Sequence, residues 1–222
     1  MRKKMVALLA GAMLMMATSA MAIPTLQISA TGASSPVLVT DGSLMDIAAS
    51  AGIVSWAGSL GNFLFTVSAG TTYPSFGSQA VPQMHLNGFA NAGRTGGLFT
   101  VKFSEVGYGP MSAGLNGFIS SMNGAGGLQS LDVYFDAGNQ LFAQTTHIAD
   151  ISTINTSEVF NGLPASDPFS LTMIATIDTG ANGAASFDNT VIPTPEPGTM
   201  MLLGVGMLGL AVAGKRRLNK NA

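Results

Sequence analysis

The side chains best suited to acid–base or metal chemistry are two histidines, His85 and His147, which lie far apart in the sequence. They form no H-x-x-x-H pair, and the chain has no cysteine, so thiol nucleophiles, disulfides and C-x-x-C metal sites are excluded. Neither a G-x-S-x-G nucleophile elbow nor a phosphate-binding glycine loop after a predicted strand is present. We therefore predict no catalytic residue, no metal site and no cofactor, and we expect that the protein is not an enzyme.

Two weaker sets of side chains leave binding functions open. Carboxylate and amide oxygens near predicted turns could coordinate Ca²⁺, and aromatic rings could stack on sugars, although such rings also pack in cores. The oxygens belong to Asp136, Asn139, Asp178, Asn182 and Asp188, and the rings to Trp56, Tyr73, Tyr108 and Tyr134. A carbohydrate- or calcium-binding module is therefore an alternative function. A carboxylate pair of the glycosidase type would make the protein a secreted hydrolase.

Alternation of apolar and polar residues predicts the strands that would position these side chains. From residue 169 to residue 178 nearly every second side chain is apolar, which is the pattern of a half-buried strand. Residues 62–69, 97–105 and 131–136 alternate in the same way, and turn-forming sequences such as Asn87-Gly88 lie between the runs. Many short strands at this spacing predict an all-β domain, either an antiparallel β-sandwich or a jelly-roll-like barrel, over residues 23–190.

Three local features follow from the same rules. Residues 43–46 have the composition of a helix cap and predict a short helix that begins at Ile47. Residues 136–139 predict a tight hairpin turn that leads directly into a strand at residues 141–142. We expect residues 107–127 to form a long loop or weak edge structure.

The N-terminus has the three parts of a secretory signal peptide. They are the basic residues Arg2, Lys3 and Lys4, the apolar residues 5–16, and the small residues Ala20 and Ala22 of an A-x-A-like cleavage site. We predict that the Sec machinery exports the chain and that signal peptidase removes residues 1–22.

The C-terminus combines a proline-rich tetrapeptide, an uncharged apolar run and a basic cluster. These are Pro195-Glu196-Pro197-Gly198, residues 198–214, and the cluster Lys215, Arg216 and Arg217. The seventeen uncharged residues lie at the lower limit of the roughly 17–25 that span a bilayer core. Basic residues after a span hold the end in the cytoplasm. We predict a short C-terminal transmembrane helix over about residues 198–214, followed by a basic tail at residues 215–220.

In this order of parts, residues 191–222 resemble the PEP-CTERM sorting signal of exported Gram-negative proteins. The resemblance implies that an exosortase-type membrane enzyme recognises the tetrapeptide and removes the tail. The protein would be held in the inner membrane transiently and then pass to the cell surface or the extracellular space. The resemblance also implies a structural or adhesive role in a biofilm, with exopolysaccharide as a partner. A permanent single-span anchor is the alternative.

Removal of both ends changes the net charge of the chain. The whole sequence has a formal charge of −2. Residues 23–192 retain only Arg94 and Lys102 against ten acidic residues, which gives a formal charge of −8. An acidic body of this kind repels phosphate backbones, so we exclude nucleic acid as a partner.

Overall fold

The computed structural model describes residues 23–163, 167–195, 198 and 202–210. Its main body consists of two six-stranded sheets in which every neighbouring strand pair is antiparallel. The expectation of an all-β antiparallel sandwich is therefore confirmed.

The two sheets are built from strands drawn from the whole length of the body. Sheet A contains, in spatial order, β11 (Thr146–Ile151), β10 (Leu128–Asp136), β13 (Phe169–Asp178), β8 (Leu98–Tyr108), β1 (Thr25–Ala30) and β2 (Val37–Thr40). Sheet B contains β12 (Thr156–Asn161), β9 (Leu115–Ala125), β14 (Ala184–Pro195), β7 (Met84–Ala92), β4 (Phe63–Thr71) and β3 (Ile53–Leu60). A small hairpin, β5 (Gly77–Ser78) and β6 (Val81–Pro82), lies between β4 and β7 in the sequence.

The core lies between the sheets and follows the predicted alternation. Phe99, Val101 and Phe103 of β8 are fully buried, as the period of two requires. The ring of Phe99 packs edge-on against Phe63 and Phe65 of sheet B, with both centroid separations at 5.1 Å. Edge-on aromatic pairs contribute about 0.5–1.5 kcal/mol beyond their buried area, so these contacts help to fix the two sheets together.

The strand predicted at residues 169–178 is present as β13, but it is buried on both faces over residues 169–175, so the expected solvated face is wrong there. Its outward side chains Ser170 and Thr172 are at most 1% exposed. The connection at residues 137–145 covers them, because Ser170 Oγ donates to Gln140 O at 2.8 Å. Alternation alone could not predict this cover, since small hydroxyl side chains are compatible with either a solvated or a buried face.

The segment after β2 forms no helix, which corrects the predicted helix at Ile47. The carboxylate of Asp46 accepts hydrogen bonds from the backbone N–H groups of Gly42, Ala48 and Ser55, at 2.9–3.1 Å. Ser55 belongs to β3, so these bonds fasten the loop to the sheet. A side chain that bonds distant backbone groups in this way competes with helix formation.

Two further local predictions are wrong and a third is right only in part. Residues 107–127 contain β9, which lies inside sheet B between β12 and β14. Asn87-Gly88 lies in the middle of β7, where it pairs with both β4 and β14. The hairpin after β10 exists, but its second strand begins at Thr146 because residues 141–142 form a turn within the longer connection.

The two ends of the sandwich differ in what they carry. We call the end at which β14 reaches Pro195 the exit end, and the opposite end the far end. Val191 of β14 pairs with Met84 near the exit end, and Ala184 pairs with Asn91 near the far end. The distance along β14 between these two paired positions is roughly 25 Å at ~3.4 Å per residue.

The chain beyond β14 is described only in part. Residues 198 and 202–210 are helical, and the apolar side chains of residues 202–210 are exposed. Within the described ranges, no helix is long and apolar enough to cross a membrane. The predicted signal peptide, with Ala20 and Ala22, lies outside the described residues, as do Glu196, Pro197 and the cluster Lys215, Arg216 and Arg217.

Candidate functional site

The proline-rich segment begins inside the folded body. Pro193 and Pro195 belong to β14 and pair with Phe118 and Leu115 of β9. The pairing of β14 with β7 ends at Val191, so beyond that residue β14 has a neighbour on one side only. Proline cannot donate to a second neighbour, and a strand that is unpaired on one side tolerates it. The segment is thus extended up to the point where the motif leaves the sheet.

His85 lies on the outer face of sheet B and pairs with a carboxylate. Its Nε2 atom is 3.0 Å from Oδ1 of Asp188, and the two side chains are 30% and 58% exposed. Thr190 and Thr71 occupy the register positions on either side of His85. The pair therefore sits on an open polar surface and not in the deep pocket that a hydrolase site needs.

Beside this pair the outer face of sheet B forms a shallow, open depression of about 360 Å³. It is lined by Asn87, Gly88, Phe89, Gly124, Ser186, Phe187 and Asp188. The ring of Phe89 is 40% exposed and lies opposite Ser186 in the register. An exposed ring beside amide and carboxylate groups could hold a sugar by stacking and hydrogen bonding.

His147 lies on sheet A, away from His85. Its ring stacks on Tyr134 with centroids 4.6 Å apart and an interplanar angle of 13°, and its Nε2 atom is 3.0 Å from Oδ1 of Asp132. Burial raises the pKa of Asp132 above its usual value, His147 opposes this shift, and the charge of Asp150 adds to it. The two histidines predicted as candidates therefore do not share a site.

A carboxyl group that the sequence analysis did not single out lies inside the sandwich at the exit end. Glu105 and Thr72 are both 0% exposed, and Tyr108 is 1% exposed. Thr72 Oγ1 contacts the Glu105 carboxyl and the Tyr108 hydroxyl and lies 3.0 Å from Gln83 O. The threonine hydroxyl has one proton and the carbonyl can only accept, so all three contacts are hydrogen bonds only when Glu105 is protonated.

Burial is the main cause of an unusual pKa at this position. It raises the pKa of Glu105 to about 7, and the charge of Asp41 adds to the shift. Burial and the charge of Glu105 also raise the pKa of Tyr108 well above its usual value. The alternation of inward and outward side chains along β8 could have revealed that Glu105 is buried, since it occupies the next inward position after Phe103.

The predicted calcium ligands do not come together. Asp136 accepts hydrogen bonds from Thr145 and Gln140 within its own connection, and Asp178 accepts one from Gly180 at the far end. Asp188 faces outward on sheet B beside His85. Among the described residues, no three His, Cys, Asp or Glu side chains are close enough to hold a metal ion.

Three of the four aromatic candidates, Trp56, Tyr108 and Tyr134, do not form one platform either. Trp56 is half-buried against the core and contacts Phe65, with ring centroids 5.8 Å apart. Tyr108 is buried, and Tyr134 stacks on His147 on the other sheet. The exposed ring beside a depression is that of Phe89, which the sequence analysis missed. Its neighbours Leu86 and Ala90 are buried, so alternation along β7 places Phe89 outward.

Comparison with known families gives a match at the C-terminal end. Residues 193–217 match the PEP-CTERM protein-sorting motif. The chain carries a PEP-CTERM sorting signal. Proteins with this signal are exported and sorted by an exosortase, so the predicted export of this chain is confirmed. The PEP-CTERM motif overlaps the last three residues of β14, so the sorting signal is joined to the sandwich with no intervening linker.

The body itself shows only distant similarities. No curated protein is significantly similar in sequence. A complex of TmCBM61 with beta-1,4-galactotriose is 14% identical, with 57% of this chain and 87% of that chain covered and a TM-score of 0.32. The xylan-binding module CBM86 from Roseburia intestinalis is 15% identical, with 66% and 97% covered and a TM-score of 0.27. At such TM-scores neither similarity bears on the function of this chain.

Proposed function

We propose that this protein is a non-enzymatic surface or extracellular-matrix protein with a structural or adhesive role. In this proposal the Sec machinery exports the chain, signal peptidase removes residues 1–22, and residues 198–214 hold it in the inner membrane until an exosortase removes the tail. The observation that carries the proposal is the PEP-CTERM motif at residues 193–217. Release into a matrix requires a body that stays folded without its tail, and every strand of the sandwich ends at or before Pro195.

The composition of the tail supports transient anchoring. Residues 198–214 carry no charge, and Lys215, Arg216 and Arg217 follow directly. Five glycines in the apolar run, at positions 198, 204, 206, 209 and 214, lower its intrinsic helix propensity, by roughly 1 kcal/mol for each interior one relative to alanine. A marginal span of this kind suits a segment that an enzyme must extract and cleave.

Two sets of substitutions test this proposal. Replacement of Pro195 and Pro197 by Ala leaves the apolar run intact, so we expect normal membrane insertion but no release. Replacement of Lys215, Arg216 and Arg217 by Ser removes the charges that stop translocation, so we expect unprocessed protein in the periplasm. Cell fractionation with mass measurement distinguishes the two outcomes. Normal release of the proline variant with unchanged mass would show that the tetrapeptide is a linker only.

A second candidate function is polysaccharide binding by the body. The depression beside Phe89 and the adjacent polar row of His85, Asn87 and Asp188 favour it. This surface carries amide and hydroxyl groups, the carboxylate of Asp188 and one exposed ring, and among the described residues neither lysine nor arginine lines it, which suits an uncharged glycan. A matrix protein can also bind a glycan weakly, so the two candidate functions are compatible. Substitution of Phe89 tests glycan binding by itself.

A further inference from the structure

The segment between β4 and β7 leaves sheet B and returns to it at the exit end. Thr72 follows the last residue of β4, Gln83 precedes the first residue of β7, and the strands β5 and β6 lie between them. Thr72 Oγ1 donates to Gln83 O at 3.0 Å, so one hydrogen bond closes the base of this segment. We call residues 72–83 the exit hairpin.

The exit hairpin lies beside the part of the sandwich that carries the sorting motif. Its strand β6 is next to β14. Ala80 O accepts a hydrogen bond from the backbone N–H of Ser112 at 2.7 Å. Leu115 in turn donates its backbone N–H to Ser112 O, and Leu115 pairs with Pro195 of β14. The exit hairpin is therefore connected through Ser112 to the point where the motif leaves the sheet.

The closed base of the exit hairpin depends on the protonation of a buried carboxyl group. The Thr72 hydroxyl has one proton and two lone pairs. When Glu105 is protonated, Thr72 donates to Gln83 O and accepts from the Glu105 carboxyl and the Tyr108 hydroxyl. When Glu105 ionises, its carboxylate can only accept, and it competes with Gln83 O for the single Thr72 proton. The bond to an ionised acceptor is the stronger one, so Gln83 O loses its donor.

The surroundings of Glu105 do not compensate a negative charge. Its Oε1 atom is buried and has no hydrogen-bond partner among the described residues. The titratable groups that act on Glu105 are Tyr108, on the same strand, and Asp41, in the connection after β2. Neither is a cation, and the negative charge of Asp41 disfavours a second one. Exposure of the carboxylate to water would remove this penalty, because solvation stabilises the charged form.

We propose that ionisation of Glu105 opens the exit hairpin and thereby uncovers the edge of β14 that leads to the sorting motif. The hairpin would stay closed in acid and open as the pH rises past neutrality, while the rest of the sandwich stays folded. Hairpin opening goes beyond the proposed sorting function and does not depend on it. Only its consequence, easier access of a membrane enzyme to Pro195, rests on the proposed exosortase processing.

Hydrogen–deuterium exchange of the full-length protein in detergent micelles, at pH 6 and pH 8, tests the proposal. The pKa of Glu105 is 4.5 in an ordinary environment and about 7 in the folded protein, so we expect about a tenfold larger open population at pH 8. After correction for the intrinsic pH dependence of exchange, the amides of the exit hairpin and of Ser112 should lose protection by this factor. The amides of Asn62 and Asn182, which donate to backbone carbonyls at the far end, should not.

Three variants separate the effect of Glu105 from other causes. Glu105→Gln keeps a neutral group with an N–H donor for Thr72, so exchange of its hairpin should not change between the two pH values. Glu158→Gln is the matched control, because it removes an exposed carboxyl group of β12, and it should behave as the wild type. Thr72→Val removes the hydroxyl itself, so its hairpin should exchange rapidly at both pH values.

Hairpin protection that does not change with pH in the wild type would overturn the proposal, as would an equal change in Glu105→Gln. A loss of protection at Asn62 equal to that in the hairpin would show that the effect is not confined to the exit end. Protection of the hairpin equal to that of β8 at both pH values would show that it opens only by global unfolding. Either result would also overturn the proposal. None of these outcomes affects the sorting function, which the mass of the released protein tests separately.

Discussion

The hydroxyl of Thr72 lies against the carboxyl group of Glu105 inside the sandwich, and neither side chain is exposed to solvent. The residues come from different sheets, since Glu105 belongs to β8 of sheet A and Thr72 follows β4 of sheet B. Their hydrogen bond therefore joins the sheets at the exit end. It also places a titratable group in the core, where burial disfavours the charged form.

This arrangement predicts that stability falls as the pH rises through neutrality. The pKa of Glu105 is 4.5 in an ordinary environment and about 7 in the folded protein, so the folded state binds the proton more tightly. The stabilisation is fully present below pH ~4.5 and is lost as the pH rises through 7, with a total of roughly 3 kcal/mol. Urea unfolding between pH 5 and pH 9 measures it.

Glu105→Gln is the control for this pH dependence. The amide stays neutral at every pH, so its unfolding free energy should vary less over this range than that of the wild type. The charge of Asp41 and the hydroxyl of Tyr108 also act on Glu105, and both remain in the variant. Identical pH profiles for the two proteins would show that Glu105 does not titrate in this range.

The environment of Asp136 predicts that stability falls as the pH is lowered in the acid range, which is the opposite of the dependence expected from Glu105. Hydrogen bonds from Thr145 and from the backbone of Gln140 lower the pKa of this carboxyl, although burial opposes the shift. Its stabilisation is therefore present above the ordinary pKa near 4 and is lost as the pH falls below it. We expect Asp136→Asn to destabilise the protein by about 1–2 kcal/mol at pH 7. Asp178→Asn, at an exposed strand end, should cost less. Equal losses would contradict a special role for Asp136.

The strands were predictable from the sequence where one face is buried and the other is solvated. The alternation of Phe99, Val101 and Phe103 placed β8 correctly because each inward residue meets the opposite sheet. The same rule failed for β9, because glycine, serine and asparagine in residues 115–125 resemble a loop in composition. Only the pairing of β9 with strands distant in the sequence, β12 and β14, makes it a strand.

The sorting signal was predictable for a different reason, since it is read along the chain and needs no tertiary structure. The surface around Phe89 was not, because its members come from β7, β9 and β14, and β7 and β14 are about a hundred residues apart in the sequence. The composition of Asn87-Gly88 favoured a turn, whereas both residues lie within a strand of the structure. The pairing with neighbouring strands that places them there cannot be inferred from local composition. The calcium prediction required oxygens from separate turns to meet, whereas Asp136 and Asp178 lie at opposite ends of the paired strands β10 and β13.

The core around Gly70 leaves no room for a side chain at that position. A Cβ atom at this position would lie 2.3 Å from the ring of Phe103. We expect Gly70→Ala to destabilise the protein by about 1–3 kcal/mol in urea unfolding, because a rigid ring must move. Phe103→Leu should relieve the clash, so the double variant should be more stable than the sum of the single effects predicts. Strict additivity would contradict the proposed contact.

Phe89 tests the polysaccharide-binding candidate. Phe89→Ala removes an exposed ring, so we expect little loss of stability but at least a tenfold weaker affinity for exopolysaccharide from the producing cells, a loss of about 1.4 kcal/mol. Leu128→Ala, which removes an exposed apolar side chain at the far end, is the matched control and should bind normally. Isothermal titration calorimetry measures both. Equal affinity of the Phe89 variant and the wild type would exclude this surface as the glycan site.

The intact mass of the protein recovered from outside the cell tests the central claim most directly. We predict a species that begins near Ile23 and lacks residues 200–222, because signal peptidase and an exosortase have each removed one end. Such a species retains every strand of the sandwich. Recovery of membrane-bound protein alone, with Lys215, Arg216 and Arg217 still present, would contradict the account and establish a permanent anchor.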